Sequence, residues 1–156
     1  DFQAGGAVVD EDDIVAAIIM ESIGYYSTEK GSQNYPPVVG LAYPDTADFI
    51  AFVSNTENRD FVRECVRTFR NLEDVKMPSE GGAPPGFIDG VGFSDHWSFW
   101  QVDYPALMVT DTVPFRNPHS HEHTDLPHTL DYDRAARVTV GTAIIVADLA
   151  GIVEDE

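Results

Sequence analysis

Between Thr110 and Tyr132 the chain reads TDTVPFRNPHSHEHTDLPHTLDY, and this stretch holds four of its five histidines, from His119 to His128. Imidazole is both the commonest metal ligand and the side chain whose charge changes nearest neutral pH, so chemistry would be centred here. Pro114, Pro118 and Pro127 exclude a continuous helix or central strand through it. The histidines therefore sit on a loop whose fixed φ angles could aim a metal ligand, or they are solvated imidazoles on a polar surface loop. A second candidate is Glu21, which ends the apolar run from Ile14 to Met20 and precedes SIGYYS. Ligands bind at the C-terminal edge of open α/β sheets, where such an acid would stand. Alone, it reads equally as a solvated strand-end carboxylate.

The elements that must position these groups are legible in the apolar pattern. IVAAIIM, from Ile14 to Met20, is short and nearly continuous, as expected of a strand buried on both faces. DFIAFVS (Asp48–Ser54) and YPALMVTD (Tyr104–Asp111) are two further strand candidates, the last delivering Asp111 just before the histidine loop. Between them a helix is predicted over Glu57–Asn71, capped by Asn55 or Thr56, with Phe61, Val62, Cys65, Val66 and Phe69 at helical spacing. Arg59, Arg63, Arg67 and Arg70 take its other faces, as a solvated stripe or as partners for nearby acids. A final helix is expected over Tyr132–Ile152, with Asp131 and Asp133 at its start.

The connecting segments read as loops. Ser27–Tyr43 carries Gly31, Pro36, Pro37 and Gly40 and would wall the site, and SEGGAPPGFIDGVG closes the stretch from Leu72 to Gly92. SDHWSFW then has helix-start chemistry: Ser94 or Asp95 can cap, Trp97 and Trp100 share a face, and His96 orders the loop. Asp1–Asp13 is read as an irregular acidic lead-in with a solvated turn at Asp10–Asp13, and Glu154–Glu156 as a frayed tail. That opening has no signal peptide and looks like the interior of a longer chain.

Composition narrows the function classes. With 27 acidic residues against nine basic ones the net charge is −18, which opposes phosphate binding and argues against nucleic acid as a partner. Adaptation to high salt and ordinary solubilising charge both account for it. No apolar run approaches a membrane span. The single cysteine, Cys65, rules out an internal disulfide and a cysteine-rich zinc site, and its place on an apolar helix face predicts a buried thiol.

Three stretches resemble a known family. RNPHSHEHTDLPHTLDY is similar to the R-N-P-x-Y-H…D…T-L-D-Y stretch of the bacterial-type zinc aminopeptidases, two-zinc exopeptidases related to the glutaminyl cyclases. IIMESIGYYS resembles the family's N-L-E-M-I-G-Y-Y-S segment, and SDHWSFW a signature beside the metal site. The resemblance implies that Glu21 and His121 are zinc ligands, and that Asp95, His96 and Arg116 lie in the second shell or the substrate pocket. It implies a zinc exopeptidase-like α/β fold, a mixed sheet with helices on both faces, over residues 14–153. In the family, paired zinc ions activate a bridging water that attacks the first peptide bond, one zinc polarising the carbonyl and the other helping anchor the free amine. A secreted or periplasmic location goes with it.

The likeness covers only the C-terminal half of such a catalytic domain, so the sheet is expected to be incomplete on its N-terminal side. No counterpart of the family's H-x-D motif, bridging aspartate or Glu-Glu pair with the general base is found in this chain, which therefore has no catalytic residue of its own. Glu21 and His121 make two ligands, about half of what one zinc takes. Ser120 stands where the family has a tyrosine that helps hold the oxyanion. Asp95, Asp111 and Asp125 read as solvated acids, and His119, His123 and His128 as solvated imidazoles. The chain is thus expected to be part of a peptidase that acts on peptides only with a complementary N-terminal half, and otherwise to self-associate. The alternatives are a non-catalytic binding or assembly module on the same scaffold and a glutaminyl cyclase-like enzyme.

Overall fold

A computed structural model describes residues 3–4, 7–8, 14–36 and 39–152. Within the lead-in expected to be irregular, β1 (Gln3–Ala4) and β2 (Ala7–Val8) pair antiparallel. Asp10–Asp13 and Glu154–Glu156 lie outside the described residues. The body of the chain then runs β3 (Ala17–Glu21), β4 (Ile50–Val53), α1 (Arg59–Arg70), β5 (Ser79–Gly82), α2 (His96–Trp100), β6 (Ala106–Thr110), α3 (Val113–Arg116) and α4 (Tyr132–Leu149).

Four of these strands form one mixed sheet in the order β3-β6-β4-β5, parallel at β3–β6 and β4–β5 and antiparallel at β6–β4. Side chains alternate across it as strand geometry requires. Ile50, Phe52, Leu107 and Val109 pack with Val62, Cys65, Val66 and Phe69 of α1 and with Val138 and Ile145 of α4. On the other face α2 lies against β6 and β3, and Trp100 Nε1 donates to the Ala106 carbonyl at 3.0 Å. The α/β fold with a mixed sheet is therefore present. Burial pushes the Cys65 thiol up to about 12, as suits an apolar filler.

Local capping sets the helix starts. Asn55 accepts the Asn58 N–H at 3.1 Å and opens a 3-10 turn, Thr56–Asn58, from which α1 continues. Asp131 accepts the Arg134 N–H at 2.9 Å and starts α4. No helix among the described residues is long and apolar enough to cross a membrane.

Two expectations are corrected. The first strand is not buried on both faces: among the described residues β3 pairs with β6 alone, and Met20 within it is 48 % exposed. The second concerns SEGG, read as loop, which is β5. Its glycines hid it, yet one of them is what the packing needs, because a Cβ at Gly81 would stand 2.9 Å from Val66 Cγ2.

Candidate functional site

Parallel pairing of β3 with β6 sets Glu21 beside Thr110, so the carboxyl ends of both strands emerge together. The chain turns sharply there. Ser22 (φ 52), Thr112 (φ 62) and His121 (φ 63) are all left-handed without being glycine. Each such conformation costs about 1–2 kcal/mol, and strained residues of this kind gather at functional sites. Asp111 N–H donates to the Ser22 carbonyl at 2.7 Å and ties the two turns together.

Beyond these strand ends lies a cavity of about 1040 Å³, whose lining includes Glu21, Met108, Thr110, Ser120 and His121. The structure thus brings Glu21 and His121 to one cavity from positions a hundred residues apart in sequence. Its remaining wall is largely apolar and aromatic, with Tyr35, Tyr43, Phe49, Ile88, Phe93 and Phe115. The Glu21 carboxylate is held at both oxygens: Ser22 Oγ donates to Oε1 at 3.1 Å and Ser94 Oγ to Oε2 at 3.0 Å. His121 is exposed at the rim. Its neighbour His119 is turned elsewhere, with Nδ1 3.0 Å from Thr124 Oγ1 and its ring edge towards Tyr25, while His123 and His128 face solvent.

The three residues expected around the site stand off the cavity. Asp95 is exposed at the start of α2 and makes no side-chain capping bond, so the capping expectation fails for it. His96 is fully buried, its Nε2 2.7 Å from the Val91 carbonyl oxygen and its ring edge-on to Trp100. Burial pushes its pKa down, because the charged form would lose its water. Arg116 is also buried. Its Nε donates to Gln33 Oε1 at 2.7 Å and a terminal nitrogen to the Phe49 carbonyl at 2.8 Å, with the guanidinium 4.6 Å from the Phe49 ring centroid. It braces the loops beneath the site.

Two residues were missed. Ser94, named only as a cap, is the side chain of SDHWSFW that touches Glu21. Asp111, read as a solvated acid, is buried and holds the loop after Glu21 by accepting from the Gly24 and Tyr25 N–H groups. Among the described residues no three His, Cys, Asp or Glu side chains come together as a metal-binding group. A carboxylate and an imidazole on one cavity are donors of the kind zinc takes, but they are half of a set.

The fold and this strand-edge cavity define an α/β protein with a candidate site at the carboxyl ends of β3 and β6. No family model matches the chain. It is 40% identical over 130 residues, 83% of its length, to the uncharacterized protein YfbL of Escherichia coli (strain K12). That match spans 40% of YfbL, so the chain covers well under half of this curated relative.

Proposed function

We propose that the chain is the C-terminal part of the catalytic domain of a two-zinc aminopeptidase, with Glu21 and His121 as metal ligands. The observation that carries this reading is that both line one cavity at the carboxyl ends of parallel strands. Support comes from the serine hydroxyls on both oxygens of Glu21, which fix a carboxylate as outer-shell partners of metal ligands do. The metal, when bound, supplies an activated water. Remaining ligands and the general base would come from a complementary N-terminal half, for which the outer edge of β3, unpaired among the described residues, is the natural seat. The apolar cavity wall would receive the side chain of the N-terminal residue being removed.

Ser120 lines the cavity where the resembling family has a tyrosine, which favours a second reading: a module that binds peptide N-termini without cleaving them. One experiment separates these. Purified alone with zinc, the chain should leave an aminoacyl chromogenic substrate intact. With the complementary half supplied, zinc-dependent cleavage should appear and be lost in Glu21→Ala and in His121→Ala. Binding without cleavage in the complemented protein supports the module, and cleavage that survives Glu21→Ala refutes the ligand assignment.

A further inference from the structure

We propose that the groove between α1 and β5 is a docking site for an extended acidic polypeptide segment, read by Arg59, Arg63 and Arg67. This inference is independent of the proposed peptidase function. The chain carries nine basic residues against 27 acidic ones, yet four of the nine, these three and Arg70, line a single groove of about 540 Å³. Val62 and Val66 of the same helix are committed to the core, so α1 cannot turn its arginines away. Two of the four are ion-paired, Arg63 with Asp60 and Arg70 with Glu80, and Glu80 lines the same groove. Arg63 pairs with Asp60 at 3.1 Å, but the two side chains are 71% and 95% exposed, and such a pair is worth little. Arg59 and Arg67 have no ion pair among the described residues.

Arg70 plays a different part. It donates to the Ser79 carbonyl and to Glu80, and Tyr43 Oη donates to the Gly81 carbonyl at 3.0 Å. These acceptors of β5 are already used, so recognition falls to the guanidinium groups rather than to an added strand. Their spacing sets the ligand. Residues four apart on a helix rise about 6 Å, close to the roughly 6.6 Å between alternate residues of an extended chain. Arg59, Arg63 and Arg67 therefore match carboxylates at every second position of an extended peptide. The net charge of −18 does not prevent this, since exposed charges beyond about 8 Å are screened at physiological salt. It does disfavour nucleic acid, whose charge continues past the groove onto an acidic surface.

The test is fluorescence anisotropy with a labelled peptide that alternates Glu with Ser, at about 50 and about 200 mM salt. Binding should weaken with salt and fall about tenfold or more, roughly 1.4 kcal/mol, in the Arg59→Gln, Arg63→Gln, Arg67→Gln triple variant. Arg67→Gln alone should lose about a third of that free energy, and Arg137→Gln, outside the groove, should change nothing. A peptide with its glutamates in one block should bind more weakly than the alternating one. Equal binding by the triple variant, or tighter binding of an oligothymidylate of the same charge, would overturn the proposal.

Discussion

Asp111 is 2% exposed, with Oδ2 accepting the Gly24 and Tyr25 N–H groups at 3.0 and 2.8 Å and Oδ1 without a protein partner among the described residues. Burial pushes its carboxyl up to about 6, against the opposing pull of the two backbone N–H groups and of Arg116. The folded state thus binds this proton more tightly than the unfolded chain, whose aspartates titrate near about 4. Stability contributed here is full at low pH, declines as pH rises from about 4 through about 6, and is level above that. That difference corresponds to about 3 kcal/mol. Asp111→Asn abolishes the titration while keeping an oxygen for the two N–H groups. Urea denaturation at about pH 4 and about pH 7 should show the wild type losing up to about 3 kcal/mol relative to the variant across that window. A constant difference would show that the carboxyl titrates as a solvated group.

At the scale of elements, the crossing of α1 and α4 turns on one missing methyl group. A Cβ at Gly141 would stand 2.4 Å from Phe69 Cε2 and 2.8 Å from Cδ2. Phe69 cannot yield, because it is itself buried and packs edge-on to Phe52 with centroids 5.2 Å apart. In a free helix, alanine for glycine would add up to about 1 kcal/mol. Here overpacking costs about 1–3 kcal/mol, and the second effect wins. Gly141→Ala should lower the midpoint of thermal unfolding, and a rise would mean that α4 can shift off Phe69 without loss.

The whole molecule has a sheet with one incompletely covered side. The outer edge of β3 pairs with nothing among the described residues, Met20 of this strand and Val15 just before it are exposed, and so are Phe93 and Trp97 about the start of α2. Unpaired edges and apolar patches of this kind drive association. Sedimentation velocity should therefore show concentration-dependent association of the chain alone, reduced by Met20→Lys, which sets a charge beside the open edge. A single monomeric species at every concentration, with no complementary chain added, would refute it.

Much of this architecture was readable one segment at a time. The apolar runs located β3, β4 and β6 to within three residues at each end, and the helical spacing of Val62, Cys65, Val66 and Phe69 located α1 and its buried face. Such patterns report on a residue and its near neighbours, which is all that helix and strand periods require. β5 escaped because Gly81 and Gly82 carry no apolar signal, and a glycine is asked for there only by a helix from elsewhere in the chain. The solvated reading of Asp111 failed for a related reason: its burial is imposed by the loop after β3, almost ninety residues away. The sequence by itself determined the class of fold, and its resemblance to a known family put forward Glu21 and His121 as candidates. Only the tertiary structure decided that the two share a cavity, that β3 is an edge and that Arg116 is a brace, because pairing order and burial arise from contacts between distant segments.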